Sequence, residues 1–279
     1  MIRRSRSAIR ALVKALIPGR WRAPLVGLVG GNRLLRRMLA NHADVAVIEA
    51  ELVALPREGW TSFRHGNPTN RRTERVVEIP WVISRYRGEP RVLDIGPAFA
   101  HPVYTDRLTA LGIPDLNGVD LSTRRIRGMR LIRSDVRAMP FADGYFDLVL
   151  CISAIEHVGL DNSRYGVADG PAVDGDVASL REIRRVLAPG GRVLITVPFG
   201  RAEQGSWYRQ YDLDTWRALV RGGEMMENEL MLYAHGDRGW GQVTDPHELA
   251  ARAYAESGLP GAPAVLCATL VHDLSAART

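Results

Sequence analysis

The segment RVLDIGPAFA, residues 91–100, joins an apolar run to an acidic residue and then to a turn that contains a glycine. Val92, Leu93 and Ile95 are typical of a strand that is buried on both faces of a sheet. Gly96 carries no side chain, so the backbone N–H groups of the turn remain accessible to a ligand. A buried strand followed by such a turn is typical of nucleotide-binding α/β proteins. We therefore expect a ligand to approach the backbone here.

Strand-like and helix-like segments alternate after this turn. Apolar runs predict strands at 116–122, 129–135, 146–153 and 191–198, and later ones at 224–235 and 264–272. A helical period predicts one helix from an Asp176 cap to the Pro189 break, and another over residues 247–257. The alternation is typical of an α/β fold. We predict a Rossmann-like, doubly wound, mostly parallel seven-stranded sheet with helices on both faces.

Charge divides the chain into two parts. Residues 1–43 hold ten of the 37 basic residues and no acidic residue, which leaves 27 basic and 31 acidic residues in 44–279. The larger part lacks the basic surface of a nucleic-acid-binding domain, so nucleic acid is not an expected partner. Residues 1–43 have amphipathic helical spacing. They are interpreted as an N-terminal helical extension that packs on the main domain, lies on an anionic membrane surface or serves as a transit peptide.

Residue usage excludes several chemistries. Lys14 is the only lysine, so residues 44–279 offer none for a phosphate-binding loop or a Schiff base. Cys151 and Cys267 lie in apolar runs without metal-ligand spacing, which predicts buried thiols in a reducing compartment and no metal site. No apolar run in the sequence approaches the ~18 residues of a membrane span. A cytoplasmic location is expected, with possible peripheral contact at the inner membrane face through residues 1–43.

Acidic residues end three successive predicted strands. Asp94, Asp120 and Asp135 occupy these positions, and Ser153 ends the fourth strand. Ligands of doubly wound sheets lie over the carboxyl ends of the strands. Asp120 follows Gly96 by 24 residues, where an acceptor for ribose hydroxyls is expected. The loop has only one glycine of the dinucleotide pattern GxGxxG, which disfavours a dinucleotide.

These motifs together resemble class I S-adenosylmethionine-dependent methyltransferases of the methyltransferase type 11 kind. The resemblance covers about residues 91–200 and rests on VLDIG at 92–96, GVD at 118–120, SDVRAMPF at 134–141, FDLVLCISAIEHVG at 146–159 and LREIRRVLAPGGRVLITVP at 180–198. IEHVGL at 155–160, with Tyr165 and Gly166, also resembles a subgroup associated with surface polysaccharide synthesis. The resemblance implies a methyltransferase domain over 44–279, with core motifs in 91–200 and an acceptor region in 201–279.

The resemblance implies that five residues surround the methionine part of S-adenosylmethionine. It places Gly96, Ala98 and Phe99 in the loop beneath this part of the cofactor. It places Asp94 at the ammonium group, through hydrogen bonds or water, and Ser153 along the same side.

Four further residues are implied at the adenosine part. Asp120 would accept from the ribose hydroxyls and Asp135 from the adenine amino group, while Leu121 and Val136 would contact the ring. The family's loop commonly reads GxGxG, whereas this chain has Ala98 and Ala100 at the second and third glycine positions. Because alanine lacks glycine's freedom at positive φ, the path of this loop is a question for the structure.

His157 is the candidate catalytic base, and Glu156 precedes it. A hydroxyl acceptor benefits from a base that titrates near neutrality, although positioning alone accelerates methyl transfer. The alternative is that Glu156 and His157 only orient their loop. The aromatic segment WYRQYD, residues 207–212, suits a sugar acceptor or, equally, packs as an aromatic edge.

The predicted function is methyl transfer from S-adenosylmethionine to a small molecule or glycan, at oxygen. One alternative is a binding or scaffold protein that keeps the fold without catalysis. The other is a membrane-surface or nucleic-acid-associated protein that acts through residues 1–43.

Overall fold

The computed structural model describes residues 44–53, 55, 59–64, 73–122, 124–163, 166, 172–254 and 261–272. The strands of the main sheet are β1 (Arg91–Ile95), β2 (Asp115–Asp120), β3 (Arg130–Arg133), β4 (Phe146–Ile152), β5 (Leu187–Pro198), β8 (Met225–Gly236), β9 (Gly239–Val243) and β10 (Ala264–His272). Their order is β3-β2-β1-β4-β5-β10-β8-β9. The pairs from β3 to β5 are parallel, and those from β5 to β9 are antiparallel. Two short strands, β6 (Glu203–Gln204) and β7 (Arg209–Gln210), form a separate ribbon.

Helices cover both faces of the sheet. They are α1 (residues 44–52), α2 (Arg75–Ile83), α3 (Pro102–Ala110), α4 (Gly175–Val186) and α5 (Leu213–Gly222). Successive strand residues alternate between two hydrophobic clusters: Leu93 and Val149 pack with α4 and α5, and Val92 and Leu148 pack with α1, α2 and α3. This alternation follows from the two-residue period of a strand. The central strands are thus buried on both faces, as their continuous apolar sequence predicts, and the Rossmann-like fold is confirmed.

The main sheet has eight strands, so the prediction of seven was wrong. The additional strand is β9, which pairs with β8 across a tight turn that ends at Gly239, with φ 85°. A helix was predicted over residues 247–257, but the described residues there form only a 3-10 turn, Pro246–Leu249. The Asp245 side chain accepts from the His247 N–H and starts this turn. The apolar spacing that predicts a helix here is therefore outweighed by the local hydrogen bond that Asp245 forms.

The start of α4 also differs from the prediction. Asp176 was expected to cap this helix, but the helix begins at Gly175 with Asp174 at the N-cap position. Asp176 lies in the first turn, where its carboxylate accepts from the Tyr211 hydroxyl at 2.9 Å. The Asp176 side chain thus bonds Tyr211 from within the first turn and does not cap the helix.

The predictions for residues 1–43, namely the helical extension and its membrane contact, lie outside the described residues. The boundary at residue 43 therefore stays a prediction. In the part of the chain that the structure describes, no helix is long and apolar enough to cross a membrane.

Candidate active site

A cavity of 1130 Å³, including its open mouth, lies over the carboxyl ends of β1, β2 and β4. We call it the central cavity. It is lined by eight of the nine predicted cofactor residues: Asp94, Gly96, Phe99, Asp120, Leu121, Asp135, Val136 and Ser153. The predicted base His157 also lines it, whereas Ala98 and Glu156 do not. β1 lies between β2 and β4, so the connections leave it in opposite directions and open a crevice there.

The loop after β1 has a single residue that needs glycine. Gly96 has φ 75°, and a Cβ there would lie 3.2 Å from Cβ of Ala154. Residues Pro97–Phe99 then form one 3-10 turn, in which the Ala98 N–H donates to Oδ2 of Asp120 at 2.9 Å. Ala100 is extended, with φ −61° and ψ 161°. Neither alanine takes a left-handed conformation, so this loop path is open to them.

Asp94 presents a buried carboxylate oxygen to the cavity. The side chain is 1% exposed, and its Oδ1 accepts from the Tyr104 hydroxyl at 3.0 Å. Its Oδ2 has no hydrogen-bond partner. Burial raises the pKa of Asp94 to about 8, against the opposing effect of the Tyr104 hydrogen bond. A ligand that donates to Oδ2 would satisfy this atom and favour the ionised form.

The two other strand-end aspartates are already held in place. Asp120 accepts from the backbone N–H groups of Ala98 and Ser122, which fixes its carboxylate beside the loop after β1. Asp135 forms a bidentate pair with the Arg137 guanidinium, and these hydrogen bonds hold the pKa of Asp135 below its usual value against the effect of burial. Each carboxylate oxygen of Asp120 accepts one of these hydrogen bonds and has a second lone pair for a ligand, whereas each oxygen of Asp135 already accepts two hydrogen bonds from Arg137.

His157 is oriented by a backbone carbonyl. Its Nδ1 lies 2.7 Å from the carbonyl oxygen of Trp207, and its ring stacks on the Trp207 ring at 5.3 Å. A carbonyl only accepts, so in neutral His157 the proton is assigned to Nδ1 and the lone pair to Nε2. Glu156 Oε1 lies 3.7 Å from that Nε2. Burial raises the pKa of Glu156 to about 8, and the charge of Glu78 acts in the same direction.

Sequence reasoning missed the wall of the cavity that α2 provides. Arg75 and Ile79 lie one helical turn apart and both line the cavity. Glu78, on the same helix, is fully buried and accepts from Arg75, from Ser153 Oγ at 2.5 Å and from Thr196 Oγ1 at 2.7 Å. Glu78 thus ties α2 to the ends of β4 and β5. The signal available in the sequence was a glutamate within the apolar run VVEIPWV, residues 76–82.

Residues 93–195 match the protein family described as Methyltransferase domain. This segment is a methyltransferase domain. It ends within β5, so the match covers the parallel part of the sheet from β1 onward. The match agrees with the methyltransferase that the motifs predict.

Relatives resemble the domain rather than the whole chain. The ubiquinone/menaquinone biosynthesis C-methyltransferase UbiE of Shewanella baltica is 24% identical over 110 residues, which are 39% of this chain and 38% of that enzyme. The Encephalitozoon cuniculi protein ECU09_1500, a methyltransferase by description, is 33% identical over 47% of this chain and 59% of its own length. The chain thus spans about two fifths of the length of UbiE.

Solved structures resemble the fold at low identity. YcgJ of Bacillus subtilis is 19% identical with a TM-score of 0.46, covering 71% of this chain and 99% of its own. The 1,6-didemethyltoxoflavin-N1-methyltransferase of Burkholderia thailandensis, solved with S-adenosylhomocysteine, is 16% identical with a TM-score of 0.42 and covers 67% of this chain and 73% of its own.

The central cavity offers donors and acceptors that fit S-adenosylmethionine, the cofactor that the motifs imply. The unpartnered Oδ2 of Asp94 can accept from an ammonium group, and Asp120 can accept from ribose hydroxyls. Leu121 and Val136 line the central cavity together with Asp135 and offer apolar contact to an adenine ring. Among the described residues, no group of His, Cys, Asp and Glu side chains could hold a metal ion.

Proposed function

We propose that the chain transfers the methyl group of S-adenosylmethionine to a hydroxyl oxygen of a small molecule or glycan. The observation that carries this proposal is the position of His157, whose ring lines the same cavity as Asp94 and Asp120. Bound S-adenosylmethionine supplies a methyl group that is already activated by a sulfonium. The chain's own contribution is to hold the acceptor, exclude water and take one proton.

Nε2 of His157 is the atom that would take the acceptor's proton. The hydrogen bond from Nδ1 to the Trp207 carbonyl leaves the lone pair on Nε2 and fixes the plane of the ring. The neighbouring carboxyl of Glu156, 3.7 Å away, would stabilise the imidazolium when ionised. Glu156 is therefore proposed as a positioning residue rather than one that contacts the acceptor.

A cluster of aromatic rings that contacts His157 through Trp207 supports a glycan as the acceptor. Trp207, Tyr208 and Tyr254 are half-buried and contact one another, with Tyr208 and Tyr254 stacked at 4.1 Å. Tyr208 also donates to Glu203 Oε1 at 2.9 Å. Partly exposed rings with polar neighbours offer a sugar both stacking and hydrogen bonds.

The test has two stages. Isothermal titration calorimetry of the full chain should give a dissociation constant for S-adenosylmethionine between about 1 µM and 1 mM. Labelled methyl transfer to fractionated extracts should then identify the acceptor. Release of the label as methyl iodide by hydriodic acid, under conditions that leave N-methyl and C-methyl groups intact, supports attachment to oxygen. Absence of binding at millimolar cofactor overturns the proposal, and binding without transfer to any fraction favours a protein that keeps the fold without catalysis.

A further inference from the structure

We propose that Arg75 binds the carboxylate of the methionine part of S-adenosylmethionine, so that α2 is part of the cofactor site. This inference rests on the proposed function. Arg75 lies before the segment that matches the methyltransferase family, which begins at residue 93. The assignment therefore concerns a wall of the cavity that the family match does not cover.

The charges that line the central cavity are the first argument. Among the described lining residues, Arg75 is the only arginine or lysine, and the acidic ones are Asp94, Asp120 and Asp135. The amino-acid end of the cofactor carries an ammonium and a carboxylate on one carbon, so it needs an acidic and a basic group close together. Asp94 supplies the first through its unpartnered Oδ2. Among the described residues that line the cavity, Arg75 is the one permanent cation for the second.

Hydrogen bonds hold both groups at the wall of the central cavity. The Tyr104 hydroxyl donates to Asp94, and both residues line the cavity. Glu78 accepts from Arg75 and from Ser153 Oγ, so it holds Arg75 beside the end of β4, where Ser153 also lines the cavity. Asp94 and Arg75 are therefore both fixed on the wall of the same cavity.

The Arg75 guanidinium keeps donors for a ligand. Nη1 donates to Glu78 Oε2, whereas Nη2 lies 3.9 Å from Glu74 Oε1, beyond hydrogen-bond distance. The side chain is 28% exposed. A guanidinium has five N–H donors in a planar fork that matches a carboxylate, so one anchored nitrogen leaves enough for a second partner.

Nearby glutamates do not cancel the positive charge of Arg75. Glu78 is its ion-pair partner and already accepts from Ser153 and Thr196. Burial raises the pKa of Glu74 to about 7 and that of Glu156 to about 8, so both are partly protonated near neutrality. An anionic group at Arg75 thus meets less negative charge than three fully ionised carboxylates would present.

The experiment compares two ligands that differ only at the amino-acid end. S-adenosylhomocysteine and 5′-methylthioadenosine share the adenosine and the sulfur, but the second has no carboxylate or ammonium. By calorimetry on the full chain, Arg75→Gln should weaken S-adenosylhomocysteine roughly 10- to 100-fold and leave 5′-methylthioadenosine within about twofold. Arg91→Gln is the matched control, since Arg91 pairs with Asp147 outside the cavity and should change neither affinity.

The two affinities distinguish a carboxylate contact from a general loss of binding. Unchanged S-adenosylhomocysteine affinity, or equal losses for both ligands, overturns the assignment to the carboxylate. If the parent chain binds neither ligand, the proposed function itself fails, which is a distinguishable result.

A paired variant covers the case in which Arg75→Gln does not fold. That change leaves Glu78 buried without a cation, so Arg75→Gln with Glu78→Gln removes both charges together. The double variant should show the same selective loss when a thermal melt shows that it is folded, and equal loss of both ligands overturns the proposal. Arg75→Lys keeps the charge but not the fork, so it should retain more S-adenosylhomocysteine affinity than Arg75→Gln.

Discussion

The two halves of the sheet have different tasks. The parallel half, β1 to β5, places the carboxyl ends of its strands at one edge, and Asp94, Asp120 and Ser153 line the central cavity there. No described residue of β8, β9 or β10 lines that cavity. Parallel strands bring their ends together, whereas antiparallel strands alternate in direction and disperse them.

The antiparallel half contributes a large part of the core instead. Tyr233 and Trp240 are fully buried there, and Arg85 crosses to Glu229 with a hydrogen bond of 2.7 Å. Substitutions in the parallel half should therefore change ligand binding or catalysis, whereas substitutions in the antiparallel half should change the free energy of unfolding.

The largest effect is expected at the catalytic end of the parallel half. His157→Gln should lower kcat about 10²- to 10⁴-fold, because it removes the proposed proton acceptor, and leave S-adenosylhomocysteine affinity unchanged. Steady-state kinetics with the identified acceptor measure this. The exposed His247 lies outside the cavity, so His247→Gln is the control and should not change kcat. A loss of less than about threefold at His157 would contradict the base assignment.

A comparable effect, on stability alone, is expected in the antiparallel half. Trp240→Ala removes a fully buried ring and should lower the free energy of unfolding by about 3–5 kcal/mol. Urea denaturation measures this loss. Calorimetry at a temperature where the variant is folded should give the parent affinity for S-adenosylhomocysteine. A tenfold loss of affinity would show that the two halves are not separable.

An intermediate effect is expected at the end of β2. Asp120→Ala should weaken cofactor binding roughly 10- to 100-fold, because it removes the charged acceptor proposed for the ribose hydroxyls. Asp115, at the other end of the same strand, accepts from Tyr145 away from the cavity. Asp115→Ala is thus a matched control that should leave the affinity unchanged. Equal effects of the two substitutions would remove Asp120 from the site.

A smaller effect is expected in the pH dependence of stability. Glu156 has a raised pKa of about 8 in the folded chain against 4.5 ordinarily, so the folded state binds more protons between these values. Stability should therefore fall as pH rises through this window, by at most about 1.4 kcal/mol per pH unit for this group. Glu156→Gln should make this fall less steep in urea titrations from pH 5 to pH 8, while Asp94 and Glu74, whose pKa values are also raised, keep their contributions. The exposed Glu248→Gln should not, and an unchanged slope for Glu156→Gln contradicts the prediction.

The smallest effect is expected in the loop after β1. Ala98→Gly and Ala100→Gly restore the family's GxGxG pattern, but neither alanine has a positive φ. Each change should lower stability by about 0.4–1 kcal/mol through the unfolded chain and leave cofactor affinity within about twofold. A marked gain in affinity would show that the alanine methyl groups do obstruct the cofactor.

The sequence was most informative where function follows from local order. A strand, its last acidic residue and its turn are contiguous, so Asp94, Asp120 and Asp135 could be placed at the cavity from their positions at the ends of predicted strands. Ala98 was predicted as a cofactor contact, but its N–H is bound to Asp120 and it does not line the cavity. Its indirect role depends on a contact between residues 22 positions apart, which spacing does not reveal.

Long-range packing explains the remaining differences. Arg75 lies on a helix whose docking depends on Glu78 reaching Thr196, 118 residues later in the chain. β9 is short and contains two glycines, so its pattern is weak until β8 pairs with it. These contacts join residues that are far apart in the sequence, so the secondary-structure propensity of neighbouring residues does not predict them.

The strand β5 has a practical consequence for dissecting this protein. The family match ends at Ile195, inside β5, yet the neighbour that covers the outer edge of β5 is β10, from residues 264–272. A fragment trimmed to the matched segment would expose an apolar edge strand, which invites aggregation, and would also lack α2. A chimera between this protein and a relative should therefore include the segments before residue 93 and after residue 195 from the same parent.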